Sequence, residues 1–166
     1  MYRVLFVCLG NICRSPLADG VLAHKLSLAG LAGQVAVDSC GTGGYHVGAP
    51  PHCESIRVAE QHGVPLAHLR ARQVTIGDFE AFDLIVAMDR QNHQDLLALD
   101  ASGRLHSRVS LFMSYVPDAA DQDVPDPYFG GSEGFDDVYA LVDAGCDTLL
   151  AEIRQRLADR NPSAPH

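Results

Sequence analysis

An apolar run, Val4-Leu5-Phe6-Val7, stops at Cys8-Leu9-Gly10-Asn11-Ile12-Cys13-Arg14-Ser15-Pro16, and a helical pattern follows at once. A continuous apolar run of this length reads as a buried strand. Pro16 suits the first turn of a helix, where the backbone N–H it lacks would have no partner. A strand that enters a helix through so short a loop points to an α/β fold with a parallel sheet. The loop leaves several N–H groups unpaired, and they can converge on one tetrahedral anion.

The same alternation continues along the chain. Pro16–Leu28 reads as a helix with Leu17, Val21, Leu22 and Leu26 on one face, and Val35–Val37 as a second strand. Cys53–His62 reads as a helix stopped by Gly63, Leu84–Ala87 as a third strand, Asn92–Leu99 as a helix, and Val109–Phe112 as a weaker strand. A last helix from about Phe135 to Leu157 carries Val138, Leu141, Val142, Leu149, Leu150 and Ile153 toward the sheet. The expected fold is a single three-layer α/β domain over residues 1–160. It has about four parallel strands, helices on both faces, a phosphate loop after the first strand, and a flexible tail at 161–166. Ligands of such sheets bind at the carboxyl ends of the strands.

The 166 residues, 47% hydrophobic, suit one core of fair size. No apolar run is long enough to cross a bilayer and no signal segment is evident, so the expected location is the cytoplasm. A formal charge of -9 without a basic cluster argues against nucleic acid as a partner. Acidic residues concentrate between Asp118 and Asp137, in a loop marked by Pro117, Pro125, Pro127 and Gly130-Gly131, and a loop so long is usually functional or mobile. The five cysteines are odd in number and irregular in spacing, which argues against a disulfide framework; Cys40, Cys53 and Cys146 read as ordinary small residues. His24, His46, His52 and His62 form no ligand-spaced motif, so neither a metal nor another cofactor is expected.

The chemistry gathers at the first loop. Gly10 lets the backbone curl, and the Asn11 side chain can hold a left-handed turn. The helix dipole and Arg14 both favour the thiolate of Cys8. Arg14 can grip two phosphoryl oxygens with its planar fork and follow them through an in-line transfer. Ser15 can donate a hydrogen bond to the sulfur, easing its departure from phosphorus. The implied reaction is transfer of a phosphoryl group to sulfur and then to water. The plainer reading, a buried strand cysteine with a surface arginine, leaves Gly10-Asn11 unexplained. A proton donor for the leaving group is also needed. Asp118, Asp121, Asp123 and Asp126 all stand in the acidic loop, with Pro127 and Tyr128 favouring Asp126.

Val7 to Pro16, taken with Asp126-Pro127-Tyr128, resembles the low-molecular-weight protein tyrosine phosphatase family. The resemblance runs over nearly the whole chain, through Val37-Asp38-Ser39, Ala71-Arg72-Gln73, Ala87-Met88-Asp89 and Gly134-Phe135. It implies hydrolysis of protein phosphotyrosine, and of small aryl phosphates in vitro, through a phosphocysteine on Cys8. In that family the aspartate matching Asp126 is general acid and then general base. Tyr45, Tyr128 and Phe129 would line the substrate cleft, with Leu9 and Ile12 beside it. Many members have a second tyrosine where this chain has Phe129. Related arginine phosphatases carry threonine where this chain has Ile12, which favours phosphotyrosine here. Ser39, His68 and Asp89 would support the loop, although a surface histidine and an Asp helix cap are the plainer readings of the last two. By the same resemblance Cys13 would trap oxidised Cys8 as a disulfide, provided their Cα atoms approach to roughly 5.5 Å. The molecule would act as a monomer or self-associate weakly.

Two other classes fit less well. An arsenate reductase built on this loop needs relay cysteines, and Val74 to Leu111 contains none. A silent phosphotyrosine-binding module would not be expected to keep Cys8, Arg14 and Asp126 together.

Overall fold

A computed structural model describes residues 1–128 and 130–161 of the chain. Four parallel strands form one sheet: β1 (Tyr2–Cys8), β2 (Val35–Gly41), β3 (Leu84–Ala87) and β4 (Val109–Leu111), in the spatial order β2-β1-β3-β4. Five helices accompany them: α1 (Arg14–Leu28), α2 (Cys53–Gln61), α3 (Asp78–Ala81), α4 (Arg90–Leu99) and α5 (Ser132–Arg160). Strand β1 is central, with no polar residue between Val4 and Val7, and its alternate side chains supply two cores. Tyr2, Val4, Phe6 and Cys8 face a cluster containing Leu17 and Leu22 of α1, Val58 of α2 and Val138, Val142 and Leu149 of α5. Leu5 and Val7 face the opposite cluster, with Phe79 of α3 and Leu96 of α4. This is the expected three-layer arrangement with helices on both faces of the sheet.

The boundaries differ from the sequence reading in instructive ways. Strand β2 continues four residues past Val37, through polar Asp38 and Ser39. It lies on the sheet edge, where Arg72 covers Asp38 with an ion pair of 3.0 Å. Helix α1 starts at Arg14 rather than Pro16, and α4 at Arg90 rather than Asn92, because the Asp89 carboxylate caps the first turn by accepting from Asn92 N–H at 2.7 Å. Helix α5 runs from Ser132 to Arg160, beyond the expected bounds at both ends. The short α3 was not legible in the sequence; the buried Asp78 holds it by accepting from Thr75 N–H and from both ends of the Arg72 guanidinium. Strand β4 ends one residue early, and Phe112 opens a 3₁₀ turn to Tyr115 instead. Most of the expected tail lies outside the described residues.

In the register, Cys8 stands beside Gly41, Val7 beside Ala87, and Ala87 beside Leu111. All four strands therefore end close to one another, and the loops that leave them share one edge of the sheet.

Candidate active site

The loop between β1 and α1 curls back over its own cysteine. Asn11 takes a left-handed conformation, φ 57°, as its type tolerates. That turn aims its backbone N–H at Cys8 Sγ, 3.2 Å away. The Asn11 amide then works in two directions: Nδ2 donates to Ser15 Oγ at 2.8 Å, and Oδ1 accepts from the backbone N–H of Arg72 at 3.0 Å. The Ser15 hydroxyl, which accepts from Asn11, can direct its proton to Cys8 Sγ at 3.0 Å.

Neighbouring backbone holds the loop from outside. Thr42 N–H donates to Cys8 O and Gly43 N–H to Leu9 O, both at 2.9 Å. A Cβ on Gly41 would stand 2.6 Å from Leu9 O, so only glycine at the end of β2 admits this approach. The segment bearing Arg72 is tied to the same glycine on the far side, through Gly41 N–H to Arg72 O and Val74 N–H to Gly41 O, both 2.8 Å. Cys13 O accepts from Ser55 Oγ and Ile12 O from His52 N–H, which anchors the loop to the start of α2. Among the described residues no side chain caps the N-terminus of α1, so the helix offers its first N–H groups toward the loop.

Arg14 is 97% buried and its guanidinium is pinned: NH1 donates to Asp89 Oδ2 at 2.6 Å and to Val124 O at 3.0 Å, and NH2 lies 3.6 Å from Asp126 Oδ2. Burial opposes the charge on Arg14. The combined fields of Cys8, Asp89 and Asp126 nevertheless hold it above its ordinary value, so it is a fixed cation. Cys13 behaves oppositely. Burial first, then Cys8 and Asp126, push its thiol up to about 12, which leaves it a neutral neighbour.

The acidic loop is held firmly. Val124 N–H donates to Met88 O at the end of β3, and Asp123 receives both the backbone N–H and the guanidinium of Arg90. That pairing lowers the Asp123 carboxyl below its usual range and turns it away from chemistry. Of the four aspartates left open by the sequence, Asp126 is the one that lines the cavity over Cys8.

The cavity has a volume of about 180 Å³. Cys8, Arg14 and Asp126 surround its polar end, and Tyr45, His46 and Tyr128 form the rim. Leu9, Gly10, Ile12 and Cys13 complete the wall, with Leu9 largely exposed and Ile12 buried. Tyr128 N–H donates to Asp126 Oδ1 at 3.1 Å, which ties the acid to the backbone that carries the aromatic wall. Phe129 lies outside the described residues.

The expected supports are only partly at the loop. Asp89 serves both readings at once, capping α4 and fixing Arg14. Ser39 is buried but its hydroxyl bonds Asp19, while the neighbouring Cys40 O receives the Ser15 hydroxyl at 3.4 Å. His68 does not support the loop: it is exposed and borders a surface hollow beside α1 with Asp19 and His24. The Arg72 N–H occupies the Asn11 oxygen, because the parallel bridge between Gly41 and Gln73 delivers backbone there. His46 was missed as a site residue, and its ring lies against Gly10, 3.1 Å from where a Cβ would be. Its only sequence signal was its place next to Tyr45. His52 was missed too. It caps α2 through Nδ1, stacks on Phe135 at 4.8 Å and stands edge-on to Tyr128 at 6.0 Å.

A nucleophile met by the Asn11 N–H and the Ser15 hydroxyl, with a fixed guanidinium and a carboxyl group across a cavity, defines a phosphoryl-transfer centre. Residues 3–159 match the family model of the low molecular weight phosphotyrosine protein phosphatases. A protein-tyrosine-phosphatase of Streptomyces coelicolor is 44% identical over 163 residues, covering 96% of this chain and 98% of that one. YfkJ of Bacillus subtilis, a protein of the same description, is 41% identical over 155 residues, covering 93% of this chain and 97% of that one. Its crystal structure superposes with a TM-score of 0.89 over 94% of this chain and 96% of that one. An Entamoeba histolytica protein tyrosine phosphatase with Hepes in its active site gives a TM-score of 0.89 at 32% identity, covering 93% of this chain and 98% of that one. The chain belongs to the low molecular weight phosphotyrosine protein phosphatase family, and it is a phosphatase. Among the described residues no helix is long and apolar enough to cross a membrane, and no group of His, Cys, Asp and Glu is placed to hold a metal ion.

Proposed function

We propose that this phosphatase hydrolyses phosphotyrosine in proteins through a phosphocysteine on Cys8. The observation that carries the reading is the convergence of Asn11 N–H and Ser15 Oγ on Cys8 Sγ, with Arg14 and Asp126 facing the same cavity. In the first half-reaction the thiolate attacks phosphorus opposite the tyrosyl oxygen. Arg14 and the loop N–H groups carry the equatorial charge, and Asp126 gives its proton to the departing phenolate. In the second, Asp126 takes a proton from water as that water attacks phosphorus. Sulfur leaves as a thiolate stabilised by Ser15 and Asn11, releasing inorganic phosphate. Tyr45 and Tyr128 offer flat faces to the ring of the substrate, and apolar Ile12 suits a phenyl ring better than a guanidinium.

Cys13 adds protection. When peroxide oxidises Cys8 to a sulfenic acid, the Cys13 sulfur displaces hydroxide, which leaves as water, and forms a disulfide that thiols reverse. The reaction is placed in the cytoplasm, where thiols are kept reduced.

The test is phosphate release without added metal from phosphotyrosine, phosphoserine and phosphoarginine peptides between pH 5 and 8, with Cys8→Ser and Asp126→Ala in parallel. Phosphotyrosine turnover lost in the first variant and impaired in the second is the expected result. Preference for phosphoarginine would overturn the substrate assignment, and turnover by Cys8→Ser would overturn the mechanism.

A further inference from the structure

A second hollow lies at the other end of β1. Tyr2 and Cys8 sit at opposite ends of this strand, about 20 Å apart at ordinary strand rise. The hollow, of about 310 Å³, is lined by Tyr2, Asp83, Arg108, Arg156, Asp159 and Arg160. It brings together the amino ends of β1 and β3, the turn before β4 and the last turns of α5. The mechanism uses none of these residues.

Tyr2 is 98% buried, yet its hydroxyl has no hydrogen-bond partner among the described residues. A buried hydroxyl without a partner is costly, and such groups call for a ligand or an ordered water. Its surroundings are cationic. Arg160 lies over the Tyr2 ring at 4.9 Å and pairs with Asp83 at 2.6 Å, so those two charges cancel. Asp83 is further satisfied by Arg3 N–H at 2.8 Å. Asp159 accepts from the Gln155 amide at 3.1 Å. Arg108 is held in place by the carbonyls of Phe79 and Phe82, both at 3.1 Å, and forms no ion pair with a carboxylate among the described residues. Arg156 has neither a hydrogen bond nor an ion pair among the described residues. Among the described residues, two guanidinium groups therefore face one carboxylate, a local excess of one positive charge in a chain of net charge -9.

We infer that this hollow binds a small phosphate-class anion, inorganic phosphate or a soluble phosphate monoester, at a site separate from the Cys8 loop. Water could satisfy the Tyr2 hydroxyl but would leave the excess positive charge of Arg108 and Arg156 over Asp159 uncompensated. A planar carboxylate offers two oxygens in one plane, whereas a tetrahedral anion can meet donors from three directions, here Arg108, Arg156 and the Tyr2 hydroxyl. The volume exceeds what phosphate alone fills and leaves room for a short organic group. The carboxyl end of α5 opposes the anion with about half a charge, which weakens the site.

The full-length protein, labelled with nitrogen-15, is titrated with inorganic phosphate and, as the Cys8→Ser variant to prevent turnover, with glycerol 3-phosphate. Sodium chloride at matched ionic strength is the control. Side-chain N–H resonances of Arg108 and Arg156 report the distal hollow, and the amides of Gly10 to Ser15 report the catalytic loop. Saturable shifts at Arg108 and Arg156 with either phosphate compound, absent with chloride, are the expected result; tighter binding of the ester assigns the organic phosphate, and equal binding assigns phosphate itself. Arg156→Gln should weaken the distal site about tenfold. It should leave aryl phosphate turnover and competitive product inhibition by phosphate unchanged. Tyr2→Phe should weaken the distal site while the protein stays folded. Shifts confined to the catalytic loop, equal shifts with chloride, or unchanged distal affinity in both variants would overturn the inference.

Discussion

Asp89 joins folding to chemistry through its two oxygens, and that makes its replacement informative. Oδ1 accepts from Asn92 N–H at 2.7 Å and caps α4; Oδ2 accepts from Arg14 NH1 at 2.6 Å in a pair whose side chains are 3% and 19% exposed. Loss of an N-cap costs about 1 kcal/mol. Loss of a hydrogen bond to a buried charge costs about 1.5–3 kcal/mol. Arg14 keeps Val124 O and the neighbouring Asp126, so the full penalty of an abandoned buried charge does not apply. Asp89→Ala should therefore destabilise the protein by about 2.5–4 kcal/mol. Asp89→Asn, which caps a helix as well as aspartate does, should lose the charge-assisted part and keep the cap. Urea unfolding of the three proteins separates these contributions. With Asp89 neutral, the guanidinium is free to turn toward Asp126, and kcat/KM for an aryl phosphate should fall at least about tenfold in both variants, a loss of about 1.4 kcal/mol in transition-state stabilisation. The reasoning fails if Asp89→Asn is as unstable as Asp89→Ala, or if either variant keeps wild-type kcat/KM.

Ser15→Ala removes the donor 3.0 Å from Cys8 Sγ; kcat should fall about tenfold to a hundredfold and phosphocysteine should accumulate in rapid-mixing experiments, whereas an unchanged kcat would deny Ser15 its part in expelling sulfur. Gly145→Ala puts a Cβ 2.4 Å from the buried Phe112 ring; overpacking should exceed the about 1 kcal/mol that alanine gains in a helix interior and leave a net loss of about 1–2 kcal/mol in urea unfolding, and a gain in stability would show that the ring yields freely. Burial, then the charge of Asp38, push the Asp19 carboxyl up to about 7 against a smaller opposing effect of the Ser39 hydrogen bond. The native state thus holds a proton that the unfolded chain releases above about pH 4, so stability falls as pH rises from there to about 7, by up to about 4 kcal/mol. Asp19→Asn, which mimics the protonated form, should raise the urea midpoint at pH 8 and leave it nearly unchanged at pH 4; equal effects at both would refute the buried protonated carboxyl.

The layers of the fold were legible because β1 is apolar on both faces and the helical stripes of α1 and α5 are regular. What the sequence concealed is polar structure whose partners are distant. Asp38 and Ser39 break the apolar pattern of β2, yet the strand continues because Arg72, 34 residues away, covers Asp38 at the sheet edge. Helix α3 exists because Asp78 gathers Thr75 and Arg72, a combination that neither periodicity nor propensity registers.

The site shows the same division. Among Cys8, Asn11 and Ser15 the bonds are local, and residue type plus spacing led directly to the left-handed Asn11 and the donor Ser15. Farther out, chemistry alone could not choose among four aspartates, because the choice is made by Arg90: it engages Asp123 and leaves Asp126 to the cavity. The expectation for His68 failed for a related reason. His68 was expected to support the loop, but the β2 edge recruits the backbone of residues 72–74, and an N–H fixed by a parallel bridge meets the Asn11 oxygen without any side chain. The support beneath the nucleophile is therefore main chain: Gly41, Arg72 N–H and the carbonyl of Cys40. Side-chain substitutions there should act through backbone position, and Gly41 is the residue least able to change without moving Cys8.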